Sequence, residues 1–211
     1  MSTAAVTQTI ELKRLAPGFA DPALQSQTVF RSALRAFSHP GSVQTLSMNE
    51  ALAGMRAPEG ADPAAAALLL ALLDQDCKLW LSPQFAHSDA LAWLRFHTGC
   101  VAVTQPDQAD FLWVAQANEL PDLRDCGRSS AEYPDQGATC VVQVQGFQTD
   151  DGWTLRGPGI NGASALQVAG LGDGFVAQWQ AQKQHFPCGV DMLFTHQNSL
   201  VGLPRSTQIE V

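Results

Sequence analysis

Gly157-Pro158-Gly159-Ile160-Asn161-Gly162 spells G-x-G-x-x-G, the spacing with which a glycine-rich turn cradles a dinucleotide pyrophosphate. It follows residues 153–156, which read as a strand. The fingerprint also needs a long helix directly after it, because that helix N-terminus receives the phosphates. Here only residues 163–169 precede Gly170 and Gly172, and Pro158 removes a backbone donor where donors are wanted. The motif is read as a turn without a nucleotide. Ser164, in G-A-S-A-L, lacks the second glycine of a nucleophile elbow.

The other reactive residue types are scattered. Cys77, Cys100, Cys126, Cys140 and Cys188 form no C-x-x-C pair, so neither a disulfide framework nor zinc-finger spacing is present. A catalytic thiol would need a histidine base and an electropositive pocket, and no local signature supplies either. His39, His87, His97, His185 and His196 include no i,i+4 pair and no H-E-x-x-H, so no metal site is expected. A pyridoxal enzyme needs a lysine for its Schiff base. Lys13 falls in an N-terminal arm, Lys78 opens a short strand and Lys183 sits at the polar margin of a helix. None lies in a Gly/Ser-rich loop poised over a cofactor.

The elements that must position any site are legible in outline. Asp21-Pro22 reads as an N-cap followed by proline at the first helical position, after a loose arm over residues 1–20. Phe30, Ala33, Leu34 and Phe37 recur at helical spacing and predict a buried face, with Arg31 and Arg35 opposite. Residues 38–41 stop this helix. The apolar run 64–73 predicts a helix buried all round. A further helix spans 88–98 and is closed by Gly99; the last spans 173–186, with Phe175, Trp179, Gln182 and Phe186 on one face. Strands are expected at 78–81, 101–104, 110–114, 139–144, 153–156, 190–195 and 200–203. Strands interleaved with helices predict one α/β domain over 21–211, a mixed β-sheet flanked by helices.

Composition narrows the function class. Hydrophobic residues make up 45% and charged residues 15%, a balance that folds. The net charge is -8, against the basic field a nucleic-acid binder needs, so no nucleic-acid partner is expected. The longest apolar run is ten residues, short of the roughly 20 that span a bilayer, and the first residues carry no apolar signal core. A cytoplasmic, reduced protein away from membranes is expected.

Seven stretches, in order, carry a resemblance: FRSALRAFSHPG (30–41), LLDQDCKLWLS (72–82), LRFHTG (94–99), QGATCVVQV (136–144), LRGPGI (155–160), FPCGVDMLF (186–194) and GLPRSTQIEV (202–211). Together they resemble the H-subunit family of bacterial carbon–phosphorus lyase. The resemblance implies an α/β fold like the large domain of pyridoxal-phosphate-dependent transferases, with no cofactor in use. It implies homodimers in isolation and assembly with the G, I and J subunits in a core complex. That machinery joins a phosphonate to the ribose of a nucleoside triphosphate, releasing the base, before a radical enzyme cleaves the carbon–phosphorus bond. The radical cluster belongs to the J subunit, so this chain needs no three-cysteine motif. Arg31, His39, Arg95, His97, Asp191 and Arg205 fall inside the matched stretches and are the candidate ligand or interface residues; no catalytic residue is assigned. Two functions are in play. One is an accessory subunit without chemistry of its own; the other is an autonomous anion-binding protein or transferase.

Overall fold

A computed structural model describes residues 15–127 and 129–210. Helix α1 (Pro22–Ser38) starts as its sequence demands: the Asp21 carboxylate accepts from the Leu24 N–H, and Pro22 occupies the first turn. Its buried side is Gln25, Val29, Ala33 and Ala36, which corrects the expected stripe, because Phe30 and Leu34 face solvent. The reason lies beneath the helix. A Cβ on Gly202 would sit 2.6 Å from the Ala36 carbonyl carbon, so α1 rests almost directly on the sheet and only small residues fit between.

Strand β1 (Val43–Thr45) follows, then α2 (Pro63–Leu72), whose Ala64–Leu69 segment is fully enclosed as its uniform apolarity predicts. Next come β2 (Lys78–Leu81), the single turn α3 (Pro83–Ala86) and α4 (Ala90–Thr98). Gly99 closes α4 in the left-handed conformation, φ 79°. Strands β3 (Val101–Ala102), β4 (Phe111–Val114), β5 (Thr139–Gln143), β6 (Gly146–Arg156) and β7 (Ser164–Ala169) precede α5 (Phe175–Gln182). The chain ends with β8 (Asp191–His196), β9 (Ser199–Leu203) and β10 (Gln208–Glu210). Helix α5 is shorter than expected: its last turn tightens to 3-10 geometry over Lys183–His185, and Phe186 swings out to solvent.

The main sheet runs β1-β9-β8-β5-β4-β2-β3, parallel from β8 to β3, with β9 antiparallel to both its neighbours. Period-two alternation divides it into two cores. Trp113, Val141 and Leu193 face α1, α2 and α4; Leu112, Val114, Cys140, Val142, Met192 and Phe194 face the other way. That second face is covered by α5 and a small antiparallel sheet, β10-β6-β7, so helices alone flank only one side.

The G-x-G-x-x-G stretch is the β6–β7 turn, and strand β7 follows it where a nucleotide fold would place a helix. Gly159, φ 82°, lies against the Ser38 carbonyl at the end of α1, where any side chain would collide. Those glycines hold a hairpin against a helix terminus. Residues 1–14, with Lys13, lie outside the described residues. Leu15, Ala16 and Phe19 pack on the helical core, and the Trp93 indole N–H donates to the Ala16 carbonyl at 2.8 Å.

Candidate functional site

In an open parallel sheet, ligands bind at the carboxyl ends of the strands, where successive connections leave on opposite faces. Here that point lies between β2 and β4. The chain leaves β2 through α3 and α4 on the helical side; it leaves β4 through Leu123 and Cys126 on the other. The gap is filled from within. Glu119 receives the Ser82 hydroxyl at 2.5 Å and the Gln84 N–H at 3.2 Å. The buried Ser82 oxygen in turn accepts the Ala115 N–H at 3.0 Å. A carboxylate of the chain itself thus occupies the carboxyl end of β2 at this point.

Beside it a crevice of about 350 Å³ stays open, between the ends of β4 and β5 and the start of α2. Asp62, Gln116, Asn118, Gln143 and Gln145 supply its polar lining, and no arginine or lysine lines it among the described residues. Gln143 is committed to structure: its amide donates to the Gly60 and Ala115 carbonyls and accepts the Asp62 N–H at 2.7 Å. Gln116 donates to Gln84 at 2.6 Å. Asp62 precedes α2 but does not cap it; its carboxylate turns to the Thr195 hydroxyl at 3.3 Å. Burial raises the Asp62 pKa, against hydrogen bonds from the Gln197 backbone and Thr195 and the nearby His196. The crevice thus presents neutral amides and one carboxylate, with no cation among the described residues to pair with an anion. The second Asp-Pro pair, Asp62-Pro63 before the apolar run, is the sequence signal that places Asp62 here; Glu119 lies in a polar loop with no such signal.

The six candidate residues do not converge. Arg31 lies on α1 and His39 caps its carboxyl end, both exposed, with His39 Nδ1 within 2.9 Å of the Ser38 hydroxyl. Arg95 and His97 are exposed on α4. The His97 ring packs edge-on to Trp93 and Phe96, with Nε2 3.2 Å from the Ala16 carbonyl. Only Asp191 and Arg205 meet, at the amino ends of β5 and β8, away from the crevice. Their ion pair is 2.9 Å long and mostly buried. Arg205 Nη1 also donates to the Pro134 carbonyl at 2.6 Å and the Gly189 carbonyl at 3.1 Å, and its backbone N–H donates to Asp191 Oδ1 at 2.7 Å. One guanidinium thus ties the loop before β5, the loop before β8 and the segment after β9 together.

The thiols of Cys77, Cys100 and Cys140 sit in environments that keep them protonated. Burial is the largest cause of the rise at Cys77, to about 11, and at Cys100; at Cys140 the neighbouring Cys126 thiol adds more than burial does. Lys78 stands exposed at the amino end of β2, and Lys183 is exposed after α5, both remote from the crevice.

Residues 17–210 match the family model described as bacterial phosphonate metabolism protein (PhnH). Among curated relatives, the chain is 35% identical over 192 residues to the alpha-D-ribose 1-methylphosphonate 5-triphosphate synthase subunit PhnH of Rhizobium meliloti, covering 91% of this chain and 94% of that one. It is 33% identical over 187 residues to the putative C-P lyase subunit protein HtxG of Stutzerimonas stutzeri, covering 89% and 87% respectively. A match along nearly the whole described fold, with relatives of matching length, places this chain in the bacterial phosphonate metabolism protein (PhnH) family.

Proposed function

We propose that the chain is an accessory, non-catalytic subunit of a bacterial carbon–phosphorus lyase core complex, supporting formation of alpha-D-ribose 1-methylphosphonate 5-triphosphate during phosphonate catabolism. The observation that carries this reading is the match over 94% of a relative that is itself named as a synthase subunit. Geometry supports it: Glu119 fills the gap between β2 and β4, and the crevice beside it offers no cation to a phosphate among the described residues. Its partners in this reading are the G, I and J subunits, and alone it forms a homodimer in the cytoplasm. No helix among the described residues is long and apolar enough to cross a membrane. Residues 21–211 act as one folding unit whose parallel sheet is kin to the large domain of pyridoxal-phosphate-dependent transferases, with the cofactor site abandoned. Arg31, His39, Arg95 and His97 serve contacts with partner chains, while Asp191 and Arg205 hold the fold.

Co-expression with the other core subunits, followed by native mass spectrometry and turnover assays, tests the proposal. A stable assembly containing this chain, with no turnover by the chain alone, is expected. Turnover of phosphonate and nucleoside triphosphate by the isolated chain overturns it.

A further inference from the structure

Helix α1 carries a second apolar face that the fold does not use. Its buried side, Gln25, Val29, Ala33 and Ala36, already accounts for its packing on β9 and α2. On the opposite side Leu24, Phe30 and Leu34 remain 61%, 44% and 52% exposed. Phe30 and Leu34 are one turn apart and adjacent on the surface. Beside Leu24 and Thr28 lies a hollow of about 570 Å³, closed on its far side by Asn49, Glu50 and Ala53. Large apolar side chains grouped on one exposed helix face mark an interaction surface when they contribute nothing to the core.

The charges on that face say what covers it. Arg31 and Arg35 lie between and beside the apolar residues, and among the described residues neither is ion-paired. The chain has 20 acidic residues against 12 basic ones, yet none of the described carboxylates pairs with this couple. The occupant must bring carboxylates together with apolar side chains. A second copy centred on the Phe30–Leu34 part of the face would set Arg31 and Arg35 of one copy against Arg35 and Arg31 of the other across a two-fold axis, a repulsive arrangement. A head-to-tail contact between copies would have to close into a ring to cover every such face, and otherwise leaves it open at the end of a filament.

We infer that the α1 face bearing Leu24, Phe30, Arg31, Leu34 and Arg35 docks a different polypeptide of the complex, through a segment of that partner carrying apolar residues flanked by carboxylates. This rests on the subunit function proposed above and adds which surface of this chain makes the contact. The homodimer of the isolated chain uses another face. Phe30 and Leu34 act as anchors entering the partner, and the arginines select an acidic partner and fix its register.

The test uses the co-expressed core complex. Arg31→Glu/Arg35→Glu and, separately, Leu34→Ser replace exposed residues, so both variants should match the wild type in circular dichroism and melting. Each is expected to weaken association with the other subunits by about tenfold or more, the loss typical of removing an interface anchor. The oligomeric state of the isolated chain should not change. A photo-reactive residue at position 34 should crosslink to a different polypeptide within the complex. Undiminished assembly of both variants overturns this surface while leaving the subunit function standing; failure of the wild-type chain to assemble overturns both. A crosslink to a second copy, or to residues before Leu15 of the same chain, overturns the choice of occupant. So does loss of the homodimer in either variant.

Discussion

Arg205 is the residue whose replacement separates architecture from chemistry most cleanly. Its side chain and that of Asp191 are only 18% and 17% exposed, so truncation to alanine leaves a largely desolvated carboxylate with one remaining backbone partner. Breaking a buried pair by removing one member costs about 3–5 kcal/mol. For a chain of this size each kcal/mol shifts Tm by about 2–4 °C, so Arg205→Ala should melt roughly 6–20 °C lower. Lysine keeps the charge but not the plane, and cannot reach Asp191, Pro134 and Gly189 together. Losing one charged hydrogen bond costs about 1.5–3 kcal/mol, which puts Arg205→Lys roughly 3–12 °C below the wild type. Both variants would be followed by circular dichroism, then by co-purification with the other core subunits and growth on a phosphonate as sole phosphorus source. Assembly and growth should decline together, in step with Tm. Unchanged melting and assembly with growth abolished would refute the reasoning, because the guanidinium would then act on a substrate and not on its own loops.

Leu69, fully enclosed in α2, should cost about 2–5 kcal/mol on replacement by alanine, read as a lower Tm in a thermal melt. Glu119→Gln keeps the shape but weakens the bonds to Ser82 and Gln84; a loss of about 1–3 kcal/mol is expected, with co-purification of the other subunits unchanged. Asp62 gives a pH signature. Its folded pKa lies above the ordinary 3.8, so the folded state favours the protonated form, and the stability gained from that form is present below 3.8 and lost as pH rises through the folded value. Asp62→Asn should remove this loss: the Tm difference, wild type minus variant, should fall as pH rises above 3.8, and a pH-independent difference would count against a desolvated carboxylate.

What the sequence could announce depended on whether a single physical cause lay behind each pattern. Asp21-Pro22, the run 64–73 and Gly99 each have one: a cap, an all-round burial, a left-handed terminus, and the structure has the cap and the terminus as expected, with burial complete over residues 64–69 and partial over 70–72. The small sheet was harder to see. Its longest strand, β6, crosses Thr149-Asp150-Asp151-Gly152, where the pairing register shifts and the residues are exposed, so no alternation marks it. Glu119 was silent because a carboxylate in a polar loop looks the same whether it meets water or Ser82. The α1 face is the instructive failure. Phe30, Ala33, Leu34 and Phe37 show a helical period, and period alone cannot distinguish a face that meets the core from one that meets another chain. Residue size could have: where Gly202 brings the helix onto β9, Ala33 and Ala36 fit and Phe30 does not. In a chain built to assemble, the largest apolar residues of a helix are free to point outward, because a partner's surface can accommodate volume that a tight helix-on-strand contact excludes.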